Sequence, residues 1–261
     1  MLMQSSAICA HVEHINHFIT AHDTEHLPLQ SAGRLVVSSC EYNMPAFHTD
    51  LFQALEITQP DVLAGAIDKR LAEFLAGRFC AAAALRALEI KSTYVASNAQ
   101  RAPVWPVGSL GSISHTNSQA VCIAGLGENL DYIGADIENW MSEKTASNLT
   151  SMIITPQEAR RLHRNDESLV RLLTVVFSAK ESLYKAVYPY VGRIFGFEAA
   201  EVVEISTQHQ FVDLRIKEDL SARIYAGLLF RCHFESRRHS VFTFMAGCLR
   251  EKAVDLIKKV N

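Results

Sequence analysis

The sequence predicts an α+β protein made of two similar, pseudo-symmetric halves, each a long helix packed on a small, mainly antiparallel sheet. Three observations carry this. Two segments hold apolar residues at helical spacing over a long span. Short runs of β-branched and alternating residues precede and follow each of them. The order strand, long helix, strands then occurs twice, without any clear repeat of residues. The two halves, taken as residues 1–117 and 118–261, are expected side by side, with the division near residues 115–130.

The first 60 residues give little pattern beyond Arg34-Leu-Val-Val-Ser-Ser-Cys40, which reads as a strand. A helical pattern begins around Asp61 and runs through Ala72, Leu75, Ala76, Phe79, Ala83 and Leu88, with Lys69, Arg70 and Arg78 on it. Ser97, Asn98, Pro103, Pro106 and Gly108 mark a loop. Gly111–His115, Ala120–Ala124 and Tyr132–Glu138 follow as strands of an expected antiparallel meander. Thr155-Pro-Gln-Glu158 is a helix start, with a capping threonine, a proline at the first helical position and a glutamate for a capping box. The second long helix spans roughly 168–188. Residues 211–216, 221–230 and 240–246 alternate weakly and read as strands closing a second sheet.

A chain of 261 residues with 49% apolar and 20% charged residues can bury a substantial core. A net charge of −3 gives no footprint for general nucleic-acid binding. No uninterrupted apolar run approaches the ~18 residues of a membrane helix, so no integral membrane contact is expected. No basic region followed by an apolar run opens the chain, so no secretory signal is expected. The six cysteines include no Cys-x-x-Cys pair. They read as reduced thiols of a cytoplasmic protein, with Cys80 and Cys122 as small core residues. His11, His14 and His17 have helical spacing, and without an acidic or cysteine partner they read as a polar face rather than a metal site.

The chemistry concentrates in Gly134-Ala-Asp136-Ile-Glu138 and Lys180-Glu-Ser-Leu-Tyr-Lys185. On a strand, alternate side chains share a face, so Asp136 and Glu138 point together, roughly 7 Å apart, with Gly134 adding no bulk. Ile133, Ala135 and Ile137 are expected to face the core. Two such acids repel, and a hard divalent cation such as magnesium offsets that repulsion. Glu181 and Lys185 sit beside the apolar stripe of the second helix. Lys180 falls inside that stripe, where its ammonium either snorkels or meets a buried anion. Ser114-His115 ends a strand, and a hydroxyl with an imidazole there suits a phosphate. Arg101, in a loop stiffened by Pro103, Trp105 and Pro106, suits a phosphate or purine contact.

Taken in order, Arg101…Pro103, Gly111-Ser-Ile-Ser-His115, Gly134-x-Asp136-x-Glu138 and Ser178-Ala-Lys-Glu-Ser-x-x-Lys185, with Leu75-Ala-Gly-Arg-Phe79 before them, the chain resembles the 4′-phosphopantetheinyl transferases. The likeness covers residues 65–190 and points to the surfactin/enterobactin-synthase type, within it to the bacterial siderophore branch. Such a resemblance implies a magnesium-dependent holo-[carrier protein] synthase. It moves 4′-phosphopantetheine from coenzyme A to a serine of an apo acyl, aryl or peptidyl carrier protein and releases adenosine 3′,5′-bisphosphate. It implies Asp136, Glu138 and Glu181 as magnesium ligands on the coenzyme A pyrophosphate. It also implies Arg101, Ser114, His115 and a basic group of the first helix (Lys69 or Arg70) on the 3′-phosphate side, and Lys185 on the pyrophosphate. Glu181 and Lys185 are the implied catalytic pair, with the choice of base among the carboxylates left open. Arg78 is the candidate for a structural arginine. A cytoplasmic monomer is implied, with no nucleic-acid partner. Other readings fit parts of the pattern: carrier activation for fatty-acid or polyunsaturated-lipid synthesis, a sugar-nucleotide transferase using Asp-x-Glu, and a non-catalytic module that binds coenzyme A or a carrier.

Overall fold

The computed structural model describes residues 14–28, 33–163 and 167–249. The chain divides into two compact units, one ending at Glu128 and one beginning at Asn129. The first contains β1 (Ile19–Leu27), β2 (Arg34–Tyr42), α1 (Leu51–Ala54), α2 (Asp68–Ala87), β3 (Ala96–Ser97), β4 (Pro103–Val104), β5 (Ser109–His115) and β6 (Gln119–Leu126). Its main sheet has the order β1-β2-β6-β5, antiparallel throughout. Helix α2 packs across β2, β6 and β5. Small side chains allow that close packing. The Cys80 thiol reaches the Ala120 carbonyl at 3.6 Å. A Cβ on Gly77 would come within 2.9 Å of the Ile113 side chain.

The second unit contains β7 (Tyr132–Asn139), α3 (Glu143–Ile153), α4 (Pro156–Leu162), α5 (Leu169–Val191), β8 (Ala200–Ser206), β9 (Phe211–Ile216), β10 (Leu229–Ser236) and β11 (Ser240–Gly247). The sheet order is β7-β11-β10-β9-β8, again antiparallel. Helix α5 lies on β7 and β11. Its apolar stripe (Leu172, Leu173, Val176, Leu183, Val187) is buried in the core. The helix ends where Gly192 adopts φ +67° and its amide bonds the Tyr188 carbonyl, a left-handed stop that suits glycine. The capping box expected at Thr155 and Glu158 forms, with Pro156 in the first turn.

The α+β expectation holds: each unit is one long helix on an antiparallel sheet. Several details differ. The first unit runs past residue 117, because β6 completes its sheet between β2 and β5. The meander stops after β6, and β7 pairs with β11 instead, eight residues in register from Tyr132–Gly247 to Asn139–Ser240. Helix α2 begins at Asp68, not Asp61. A 3-10 turn at Asp61–Leu63 and Gly65 at φ +77° interrupt the chain first. Residues 221–228 form a loop rather than a strand, tied by Asp219, whose carboxylate accepts from the Ala226 amide at 2.8 Å. The strands β1 and β8 had no expected counterpart. The mostly exposed β1 carries polar residues on both faces, so it gives no alternation to read.

Candidate active site

Alternation along β7 is as expected, but both of its faces are packed. Gly134, Asp136 and Glu138 point toward α5, not away from the core. A Cβ on Gly134 would lie 1.9 Å from the Ser182 carbonyl oxygen, so only glycine lets strand and helix approach this closely. Ile133, Ala135 and Ile137 on the other face are also buried. Asp136 therefore sits 3% exposed. Its Oδ1 accepts from the Lys185 ammonium at 2.7 Å, and its Oδ2 accepts from the Ser178 hydroxyl at 2.8 Å. Lys185 also donates to the Ala135 carbonyl at 3.1 Å.

Glu138 and Glu181 complete an acidic cluster around this pair. Burial, then the charge of Asp136, pushes Glu138 up to about 7, with Lys185 pulling the other way and Glu181 adding a further push. Burial and Asp136 likewise raise Glu181, opposed by Lys185. The three acids thus feel one another, and their negative charge exceeds what one ammonium balances. That excess fits a divalent cation held by oxygen donors. As the side chains are posed, no group of three or more His, Cys, Asp or Glu stands at metal-ligand spacing among the described residues.

Lys180, the next residue toward the helix start from Glu181, meets a buried anion. Its ammonium donates to Glu158 Oε1 at 2.9 Å and to the carbonyls of Ile153 and Phe197 at 2.8 and 3.2 Å. The same Glu158 caps α4 and accepts from the Val202 amide at 2.8 Å. This contact ties α5 to α4 and β8.

A second group of candidates forms a basic cavity in the first unit. It is lined by Arg70, Glu73, Arg78, Ser97, Arg101 and His115, and its volume is 120 Å³. Arg70 contacts His115 Nε2 at 3.2 Å. The Glu73 carboxylate stands 3.6 Å from Arg70 and 3.9 Å from His115 and Lys69. Arg78, the candidate structural arginine, lies in the cavity wall. Its Nη2 donates to Ser97 Oγ at 3.0 Å, its guanidinium stacks 4.6 Å from the Phe74 ring centroid, and its buried Nε has no hydrogen-bond partner among the described residues. Burial lowers its pKa to about 10. Arg101 reaches the cavity from a turn in which it adopts φ +65° and the Asn98 side chain accepts from the amides of Gln100 and Ala102. Ser114 is not brought there. Alternation on β5 puts it on the opposite face from His115, where it is 7% exposed.

Sequence reading passed over Glu73, whose signal was its spacing of three and four residues from Arg70 and Lys69. It gave Glu158 only a capping role. His14 and His17 are exposed, His14 lying edge-on to the His48 ring at 5.1 Å, and His11 lies outside the described residues.

Comparison with known proteins shows the family of the chain. Residues 59–125 match the 4′-phosphopantetheinyl transferase N-terminal domain, and residues 132–241 match the 4′-phosphopantetheinyl transferase superfamily. Enterobactin synthase component D of Salmonella typhi is 33% identical over 228 residues, 87% of this chain and 92% of the relative. The protein of that name from Escherichia coli is 43% identical over 118 residues, 45% of this chain and 55% of the relative. The 4′-phosphopantetheinyl transferase PptT of Mycobacterium tuberculosis is 28% identical over 141 residues, 54% of this chain and 61% of the relative. A third of all positions shared across nearly the whole of a relative, with both halves matched separately, makes the chain a member of the 4′-phosphopantetheinyl transferase family, enzymes of holo-carrier-protein synthesis.

Proposed function

We propose that the protein activates a carrier protein of siderophore synthesis, of the enterobactin kind, by moving 4′-phosphopantetheine from coenzyme A to the carrier serine. The acidic cluster of Asp136, Glu138 and Glu181 around Lys185 is the observation that carries the chemistry. The name shared by relatives about a third identical over 87% of the chain supports the pathway. Free cysteines at Cys40, Cys80, Cys122, Cys232 and Cys248 support a cytoplasmic setting. The protein acts there as a monomer, which size-exclusion chromatography tests.

In this reading Asp136, Glu138 and Glu181 hold magnesium. When bound, the ion neutralises the pyrophosphate of coenzyme A and the charge that develops on it. Arg70, Arg78, Arg101 and His115 bind the 3′-phosphate. The carrier serine oxygen forms a bond to the phosphorus next to the pantetheine, and the bond from that phosphorus to adenosine 3′,5′-bisphosphate breaks. Glu181 takes the serine proton, and its raised pKa brings a carboxylate nearer the operating pH, where a general base is most effective. Lys185 pairs with the pyrophosphate and then with the departing bisphosphate. The chain's main contribution is position and charge, as phosphoryl-type transfer requires.

The test is a mass measurement. Aryl, peptidyl and acyl apo carriers are each incubated with the protein, magnesium and coenzyme A. Gain of one phosphopantetheine group is expected, fastest on an aryl or peptidyl carrier of siderophore synthesis. Preference for a fatty-acid-type acyl carrier would redirect the pathway, and no gain on any carrier would overturn the reading.

A further inference from the structure

Three buried hydroxyls line up behind Asp136. Ser178 and Ser182 are one helical turn apart on α5, and Thr243 on β11 stands directly across from Asp136 on β7. All three are fully buried. Ser178 Oγ lies 2.8 Å from Asp136 Oδ2 and 2.9 Å from Thr243 Oγ1, and Thr243 Oγ1 lies 2.7 Å from Ser182 Oγ. Ser182 also lies 3.2 Å from the Thr243 carbonyl.

The chemistry of the last acceptor fixes the direction of this chain. An ionised carboxylate only accepts, and a hydroxyl has one proton to give. Ser178 must spend its proton on Asp136, so the bond to Thr243 must be donated by Thr243. Thr243 has then spent its own proton, so Ser182 must donate to Thr243. Each hydroxyl therefore points toward the carboxylate. Packing alone does not call for this, since valine or alanine would fill the same space without burying a polar group. Asp136 is thus held at two oxygens by unlike partners. Oδ1 meets the Lys185 ammonium, whose charge competes with any cation for the carboxylate. Oδ2 meets an uncharged hydroxyl, which takes no part in that competition.

We propose that Ser178 and Thr243 are positioning residues whose ordered hydroxyl chain fixes the Asp136 carboxylate and thereby sets the affinity for the divalent cation. This rests on Asp136 being a ligand of that cation. Partners that orient a metal-binding carboxylate typically change affinity by about 10–100-fold when removed.

The test is Mn²⁺ titration followed by electron paramagnetic resonance, with coenzyme A present, on the full chain and on Ser178→Ala, Thr243→Val and Thr243→Ser. Ser178→Ala is expected to weaken Mn²⁺ binding by about 10–100-fold. Thr243→Val, which leaves Ser178 able to donate, is expected to weaken it less. Thr243→Ser, which keeps the hydroxyl, is expected to bind like the unaltered protein. Equal binding by Ser178→Ala, Thr243→Val and the unaltered protein would overturn the proposal. So would equal weakening by Thr243→Val and Thr243→Ser, because the loss would then follow packing rather than the hydroxyl. Should Ser178→Ala fail to fold, the Thr243 pair decides alone. Failure of the unaltered protein to bind Mn²⁺ would instead remove the metal reading beneath the proposal, a result distinct from loss in the variants.

Discussion

One helix carries two lysine–carboxylate pairs that differ in every respect that matters. Lys180 and Glu158 are 3% and 2% exposed, and the ammonium has three acceptors. Burial works against the Glu158 charge, yet the ammonium and the amides of Thr155 and Val202 outweigh it, so the carboxyl lies below its usual range. The side chains of Lys185 and Asp136 are 28% and 4% exposed, and two further acids crowd them whose pKa values are raised. The first pair is closed and satisfied. The second is open on one side and too negative. A saturated buried pair locks structure, whereas an unbalanced one is ready to take a cation or a phosphate.

The comparison is broken most severely at Lys180. Lys180→Ala leaves Glu158 buried without its ammonium and is expected to cost about 3–5 kcal/mol, read as the free energy of urea unfolding. That is a large part of the stability of a typical domain. A loss below about 1 kcal/mol would mean the pair is not structural. Asp136→Ala and Glu181→Ala should behave in the opposite way. Transfer should fall by at least about 100–1,000-fold, while stability at pH 8 holds, because each substitution removes repulsion from the remaining acids. Near-normal turnover in either variant would sink the metal reading.

Gly134→Ala probes the contact beneath the second pair. Its Cβ would drive into the Ser182 carbonyl, so β7 and α5 must separate, at a cost of about 1–3 kcal/mol. Unfolding free energy checks this, and an unchanged value would show that the helix can move aside freely. The smallest effect concerns Glu138 in metal-free protein. Its folded pKa of about 7 stands above its ordinary 4.5, so the folded state binds the extra proton between those values. The stability this group contributes is full below about pH 4.5 and is lost as pH rises through about 7. Urea midpoints measured from pH 5 to 8 in EDTA should therefore fall less steeply for Glu138→Gln. Parallel curves would remove Glu138 from the cluster.

The two long helices and the strands at 34–40, 111–115, 120–124, 132–138, 211–216 and 240–246 were legible because their periodicities are local. Gly65 could have signalled the delayed start of α2, but its φ depends on the chain around it. The loop at 221–228 imitates a strand in its alternation, and bonds such as those of the Ala226 amide to Asp219 and of the Ser221 amide to the Ile224 carbonyl close it. At the site, Asp136, Glu138, Glu181 and Lys185 were legible because spacing put them on shared faces. Thr243 was not, since its partner Asp136 lies far away in sequence and their pairing arises only from sheet order.

Residue spacing alone sets which side chains travel together: the acids of β7 at every second position, and Lys180, Glu181 and Lys185 at fixed angles around a helix. Such relations follow from backbone geometry over a few residues. Tertiary structure alone decided what each face meets. It turned Asp136 inward rather than outward, gave Lys180 a buried glutamate, left the Arg78 Nε with no hydrogen-bond partner among the described residues and set a threonine from β11 behind the acidic cluster. Those outcomes depend on long-range packing, where close approach and desolvation, not local spacing, select the partners.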